Sequence, residues 1–131
     1  MVSKSSRLSR SSEFQRVYRQ GSSTASRFLV LYYFKRSADA GAAVPRLGLS
    51  VSKKLGGAVE RNRIKRLLRE AFSACQDRLV EDHDVVFIAR TQLTGLIERQ
   101  ERGEKGLVAA EVLALLERAK LLTPLAGGDD E

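Results

Sequence analysis

RLGLSVSKKLGGAVERNRIKRLLREAF, Arg46–Phe72, joins two patterns of different period. From Arg46 to Ser52 the residues alternate, with Leu47, Leu49 and Val51 on one side and Gly48, Ser50 and Ser52 on the other. That is the period of a strand with one apolar face. After Gly56-Gly57 the period changes. At about 100° per residue, Ile64, Leu67, Leu68, Ala71 and Phe72, then Cys75, fall on one side of a helix. Asn62, Lys65, Arg66 and Arg69 fall on the other at i, i+3, i+4, i+7, with Arg61 and Arg63 flanking them. The pattern predicts a helix fixed to a core by one face and carrying a positive band on the other. Downstream, DVVFIAR (Asp84–Arg90) reads as a further strand. Strand, helix, strand across residues 46–90 is a βαβ unit, so the expected class is α+β, with helices on a small mixed sheet. The general rule makes such a crossover right-handed in about 98% of cases.

The rest of the chain is read outward from this unit. FLVLYYFK (Phe28–Lys35) is apolar on both alternating faces, as a central strand should be. Ser12 with Gln15 suggests a capping box for a short helix to about Gln20, stopped by Gly21, with Phe14, Val17 and Tyr18 as its apolar stripe. Asp39–Pro45 (DAGAAVP) reads as a turn. Glu98–Gly106 (ERQERGEKG) reads as a polar loop before a last helix over Leu107–Leu122. Residues 1–10 are expected to form a flexible basic arm and residues 123–131 a frayed tail. No internal repeat is present, and 131 residues suit one domain, 1–131.

Charge narrows the function classes. The net charge of +7 conceals a segregation: residues 1–75 hold 16 Lys and Arg against 4 acids, and residues 76–131 hold 7 against 12. Such an asymmetry points to one positive surface aimed at a polyanion. Of the 23 cations 16 are Arg, which suits bidentate phosphate contact, although Arg-rich codon usage would give the same count. No apolar run approaches the roughly 18 residues of a spanning helix. MVSKSSRLSRSS lacks the apolar segment of a secretory signal and reads as a basic tail. With one cysteine, Cys75, on the apolar helix face, the expectation is a protein of the reducing cytoplasm, with no membrane association.

Catalytic constellations are harder to find. His83 is the sole histidine and lies in an acidic stretch, EDHD, read as a solvated turn rather than a metal site. Ser22, Ser23 and Thr24 have no evident base, and no Walker-type loop occurs. Gly56-Gly57 fits either a tight turn or an anion-favouring helix N-terminus. Two features fit RNA better. The strand face Arg46, Gly48, Ser50, Ser52 has little side-chain bulk, so a nucleic-acid strand could approach it. Phe14, Tyr18 and Tyr32 could stack on bases, although periodicity alone places Phe14 and Tyr18 in the core.

Taken together, LGLSVSKKLGGAVERNRIKRLLREAF resembles the signature block of the protein subunit of bacterial ribonuclease P. Arg61-Asn62-Arg63, preceded by Lys53-Lys54 and Gly56 and followed by Lys65-Arg66, matches the family's RNR motif. Phe14–Tyr18, Gly21 and Val30–Tyr32 fall where the family has its first helix and strand, and the resemblance covers roughly residues 7–122. It implies an αβββαβα order and a left-handed βαβ crossover like that of a ribosomal-protein domain, against the general rule. It implies binding to a catalytic RNA that cleaves the 5′ leader from precursor tRNA with Mg²⁺ held mainly by that RNA. Lys53, Lys54, Arg61, Asn62, Arg63, Lys65, Arg66 and Arg69 then match the surface that holds the RNA subunit. Phe14, Tyr18 and Tyr32, with Arg46, Ser50 and Ser52, match the leader cleft between first helix and sheet. No catalytic residue, metal site, intrinsic cofactor or obligate protein partner is expected on this chain. Tyr18 stands where the family commonly has Phe, and the Glu98–Gly106 segment is longer and more charged than the family pattern.

Two other classes remain open at this level. A structural RNA-binding protein fits the charge but gives the aromatics no purpose. A self-sufficient metal-dependent nuclease needs clustered carboxylates, and the acidic cluster, Glu81–Asp84, lies outside the basic block.

Overall fold

A strand with two apolar faces belongs in the middle of a sheet, and the Phe28–Lys35 stretch lies there. A computed structural model describes residues 7–8, 10–36, 45–80 and 82–123. In chain order it contains α1 (Ser11–Gln20), β1 (Ser22–Ala25), β2 (Leu29–Lys35), β3 (Arg46–Ser50), α2 (Ala58–Ala74), β4 (His83–Ala89), α3 (Leu93–Glu101) and α4 (Leu107–Arg118). The strands line up as β1-β2-β4-β3. β2 is antiparallel to both neighbours, and β3 runs parallel to β4 with α2 as the crossover. The class is α+β on a four-stranded mixed sheet.

Alternation along the strands builds two cores. Leu29, Leu31, Leu47, Val85, Phe87 and Ala89 point to one face, where Ile64, Leu68, Ala71 and Phe72 of α2 meet Val112, Leu115 and Leu116 of α4. Val86 and Val17 of α1 are fully buried on the opposite face, joined by Leu8 and by half-buried Phe14, Tyr32, Phe34 and Ile88. This second core is small because only α1 and the short segment at Leu8 cover it. At about 25 cal/mol per Å² of apolar area, most hydrophobic stabilisation therefore sits on the α2–α4 side.

Several local expectations are corrected. β1, Ser22–Ala25, precedes the strand taken as the first; its SSTA sequence is polar because it is a largely exposed edge. α1 begins at Ser11, and the Arg10 backbone N–H donates to Glu13 Oε1 at 3.1 Å, so the box expected from Ser12 and Gln15 does not form. Gly21 does end the helix: a Cβ there would stand 2.3 Å from the Tyr33 carbonyl oxygen and 2.6 Å from that of Val17. Residues 98–101, expected in a loop, belong to α3, whose Leu93, Leu96 and Ile97 are buried. The last helix stops at Arg118 rather than Leu122; Lys120 turns left-handed at φ 60°, and Leu122 bridges to Leu79. Leu8, within the arm expected to be flexible, is buried at the edge of β3, its N–H donating to Leu47 O at 2.9 Å. The Asp39–Pro45 turn, apart from Pro45, lies outside the described residues, as do residues 1–6 and 124–131.

Candidate nucleic-acid interface

α1 lies across the sheet so that its aromatic residues meet a floor formed by β2, β4 and β3. Phe14 and Tyr18, one turn apart, have ring centroids 6.3 Å apart, and Tyr18 stands edge-on to Tyr32 of β2 at 5.0 Å. Tyr18 is 36% exposed, an unusual position for a large apolar ring, while Phe14 and Tyr32 are half-buried. Burial and the neighbouring Tyr32 push the Tyr18 hydroxyl pKa up, against a hydrogen bond with the Ser50 side chain. The strand face is less open than its small residues suggest. A Cβ on Gly48 would fall 2.6 and 2.7 Å from Phe14 ring carbons, so the glycine is there to admit that ring. The accessible part of the face begins at Ser50 and continues to exposed Ser52, whose Oγ accepts from the Lys54 N–H at 3.3 Å.

Arg46 is not a free cation at the rim. Its Nε and Nη2 donate to Asp84 at 2.8 and 2.9 Å, and its Nη1 to Glu13 at 3.1 Å. Asp84 also accepts from buried Arg36 at 2.7 Å and from Arg16 of α1 at 3.2 Å. Arg16 lies over the Phe34 ring, 5.4 Å from its centroid. The carboxylate thus ties α1, β3 and β4 together beneath the aromatic cluster. Asp84 itself is wholly buried, so the acidic stretch around His83 is not a solvated turn throughout. His83 opens β4, with Nδ1 3.2 Å from Asp82 Oδ1.

α2 presents the cations as its periodicity requires. Ile64, Leu68, Ala71 and Phe72 are buried, Leu67 half-buried, and Asn62 and Arg66 exposed. Arg61, Lys65 and Arg69 are half-buried, as long side chains are when their stems lie along a helix. Lys53 and Lys54 are exposed on a single 3₁₀ turn that anchors itself with buried Leu55. Gly56 follows at φ 138°, a left-handed conformation that explains the glycine without a bound anion. Among the described residues Arg63 is the one α2 cation with ionic partners: Glu60 at 3.1 Å and Glu101 of α3.

The two parts are contiguous. A cavity of about 150 Å³ is lined by Arg7, Leu8, Phe14, Leu47, Leu49, Lys65 and Arg69, so the aromatic cluster opens onto the cationic helix. Burial, together with the Arg7 charge, lowers the Arg69 pKa. Arg7 and Arg16 were not picked out from the sequence. Their basic character was visible, but nothing near them in sequence marked the partners they meet. Among the described residues there is no group of three or more His, Cys, Asp or Glu able to hold a metal ion. Asp84 spends its oxygens on arginines, and Cys75, its thiol pKa raised by burial, donates to the Phe72 carbonyl at 3.4 Å.

Comparison with known proteins gives one answer at every level. Residues 2–118 match the family model described as Ribonuclease P. The ribonuclease P protein component of Shouchella clausii is 40% identical over 126 residues, which are 96% of this chain and 95% of that protein. That of Caldanaerobacter subterraneus subsp. tengcongensis is 45% identical over 93 residues, 71% of this chain and 77% of that one. Among solved structures, the RNase P protein of Staphylococcus aureus superposes with TM-score 0.77 at 33% identity, covering 92% of this chain and all of that one (100%). The RNase P protein of Thermotoga maritima gives TM-score 0.72 at 31% identity over 86% and 96%. By sequence and by fold, the chain belongs to the ribonuclease P protein family.

Proposed function

We propose that this chain is the RNA-binding component of a ribonuclease P holoenzyme, an endoribonuclease that removes the 5′ leader from precursor tRNA. The carrying observation is the contiguity of an aromatic cluster (Tyr18 exposed, Phe14 and Tyr32 half-buried) with a cationic helix face that is nearly free of acid partners. The α2 face and Lys53-Lys54 bind the phosphate backbone of the catalytic RNA subunit. Single-stranded leader lies against Tyr18, Tyr32 and Ser50, where a base can stack on an exposed ring. Phe14 and Arg46 shape that cleft from behind, one by packing on Gly48 and the other through Asp84.

In this reading the protein contributes electrostatics and position. Its cations relieve the repulsion between two RNAs, and its grip on the leader favours precursor over mature product. In this reading hydrolysis belongs to the RNA subunit and its Mg²⁺; among the described residues no group of three or more His, Cys, Asp or Glu could hold a metal ion. No described helix is long and apolar enough to cross a membrane, and the reading places the protein in the cytoplasm with the RNA subunit and precursor tRNA as partners. The test mixes purified, RNA-free protein with precursor tRNA, with and without the RNA subunit, at low Mg²⁺. Cleavage is expected only with the RNA subunit and faster when the protein is added. Cleavage by the protein alone overturns the proposal.

A further inference from the structure

Arg63 lies on a border. It lines a hollow with Val59, Asn62, Arg66 and Arg69, the basic side of α2, and also the gap between α2 and α3, where Glu60, Glu98 and Glu101 converge. Its Nη1 is 3.1 Å from Glu60 Oε1, and its Nη2 meets the Glu101 carboxylate. Glu60 lies one turn away and travels with the same helix. Glu101 comes from α3, a separate element. All three side chains reach water, at 32% exposure for Arg63, 56% for Glu60 and 49% for Glu101. A pair so solvated adds little to stability. It nevertheless occupies the guanidinium fork that a phosphate would use, since carboxylate and phosphate oxygens present the same bidentate geometry.

We propose that Glu101 is an internal competitor for Arg63: it holds this arginine on the acidic flank of α2, and an RNA backbone must displace it to engage Arg63. The inference rests on the reading of α2 as an RNA-binding face. It makes α3 a brake on affinity and sets one edge of the RNA footprint.

Four full-length proteins test it: wild type, Glu101→Gln, Arg63→Gln and the double variant, each titrated with the catalytic RNA subunit at fixed salt. Glu101→Gln should bind about 2- to 5-fold tighter, the range expected on releasing an exposed ion pair. The gain should vanish in the Arg63→Gln background. Unchanged or weaker binding by Glu101→Gln, or an equal gain in both backgrounds, overturns the proposal. So does a Glu101→Gln protein that melts well below wild type, which would make the pair a structural staple. Failure of the wild type to bind the RNA subunit counts instead against the functional reading, and the same four proteins titrated with poly-uridylate then decide the role of Glu101.

Discussion

Arg36 donates from Nη1 to Asp84 Oδ1 at 2.7 Å, and the two side chains are 2% and 0% exposed. Asp84 is also the acceptor for Arg46 and Arg16, so one carboxylate holds three guanidinium groups. Burial alone would raise its pKa, but the hydrogen bonds and charges of Arg46 and Arg36 prevail and hold it below the ordinary value of 3.8. A depressed folded-state pKa gives stability that is fully present above the unfolded value and lost as pH falls towards the folded one. Asp84→Asn should cost about 3–5 kcal/mol at neutral pH, because the buried Arg36 guanidinium would lose the carboxylate that lies 2.7 Å from it. The variant should also lose the part of acid sensitivity that sets in below about pH 4. Denaturant melts of both proteins at pH 7 and pH 3 measure the two effects; identical pH dependence would remove Asp84 as the titrating group.

The two faces of α2 should respond to substitution in opposite ways. Leu68 is fully buried, and Leu68→Ala should lower stability by about 2–5 kcal/mol through lost contact and a cavity. Lys65→Ala and Arg66→Ala leave the apolar stripe untouched and should melt close to wild type. Each should weaken RNA-subunit binding and flatten its logarithmic salt dependence by about 0.7–0.9 per lost phosphate contact. A folded Leu68→Ala beside an unfolded Arg66→Ala would show the faces reversed.

Much of this architecture could be read from local pattern. The change of period between Ser52 and Gly57 locates β3 and α2, and the apolar stripe from Ile64 to Cys75 marks the buried face. Residues that act across distance were not legible. Asp84 looks like one acid in EDHD, yet its partners Arg16, Arg36 and Arg46 lie 68, 48 and 38 residues away. Arg46 therefore reads as an open residue of the leader cleft when its guanidinium is already engaged. α3 is not located by the sequence, because the charged run Glu98–Gly106 reads as a loop although its start continues a helix anchored by Leu93, Leu96 and Ile97. The order implied by the resemblance requires three strands before α2, but the residues do not locate β1, because an exposed edge strand needs no apolar face.

Gly48 carries a prediction of the same long-range kind. Its small size reads as room for a ligand, but the space is filled by Phe14, with Leu8 3.1 Å from the position a Cβ would take. Gly48→Ala must therefore displace an aromatic ring, at a cost of about 1–3 kcal/mol typical of overpacking. In a Phe14→Ala background most of that cost should disappear, since the obstructing ring is gone. Thermal melts of the two single variants and the double variant complete the cycle. Additive losses would show that Gly48 serves the backbone and not the ring.

Tyr18 separates a leader-binding component from a generic RNA-binding one. The residue is 36% exposed and its ring stands edge-on to Tyr32, centroids 5.0 Å apart with 76° between planes, a geometry that leaves room for a base to stack. Tyr18→Ala should weaken holoenzyme binding of leader-bearing precursor by the value of one stack, about 1–3 kcal/mol or roughly 5- to 150-fold. Mature tRNA lacks a leader, so its affinity should stay at the wild-type level, as should binding of the RNA subunit. Tyr18→Phe keeps the ring and loses only the hydroxyl that meets Ser50, so it should retain most precursor affinity. Paired affinities for precursor and mature tRNA, measured beside a thermal melt, decide the matter. Equal losses for both tRNAs would count against the cleft, and a low melting temperature with all activities reduced together would return Tyr18 to the core packed beneath α1.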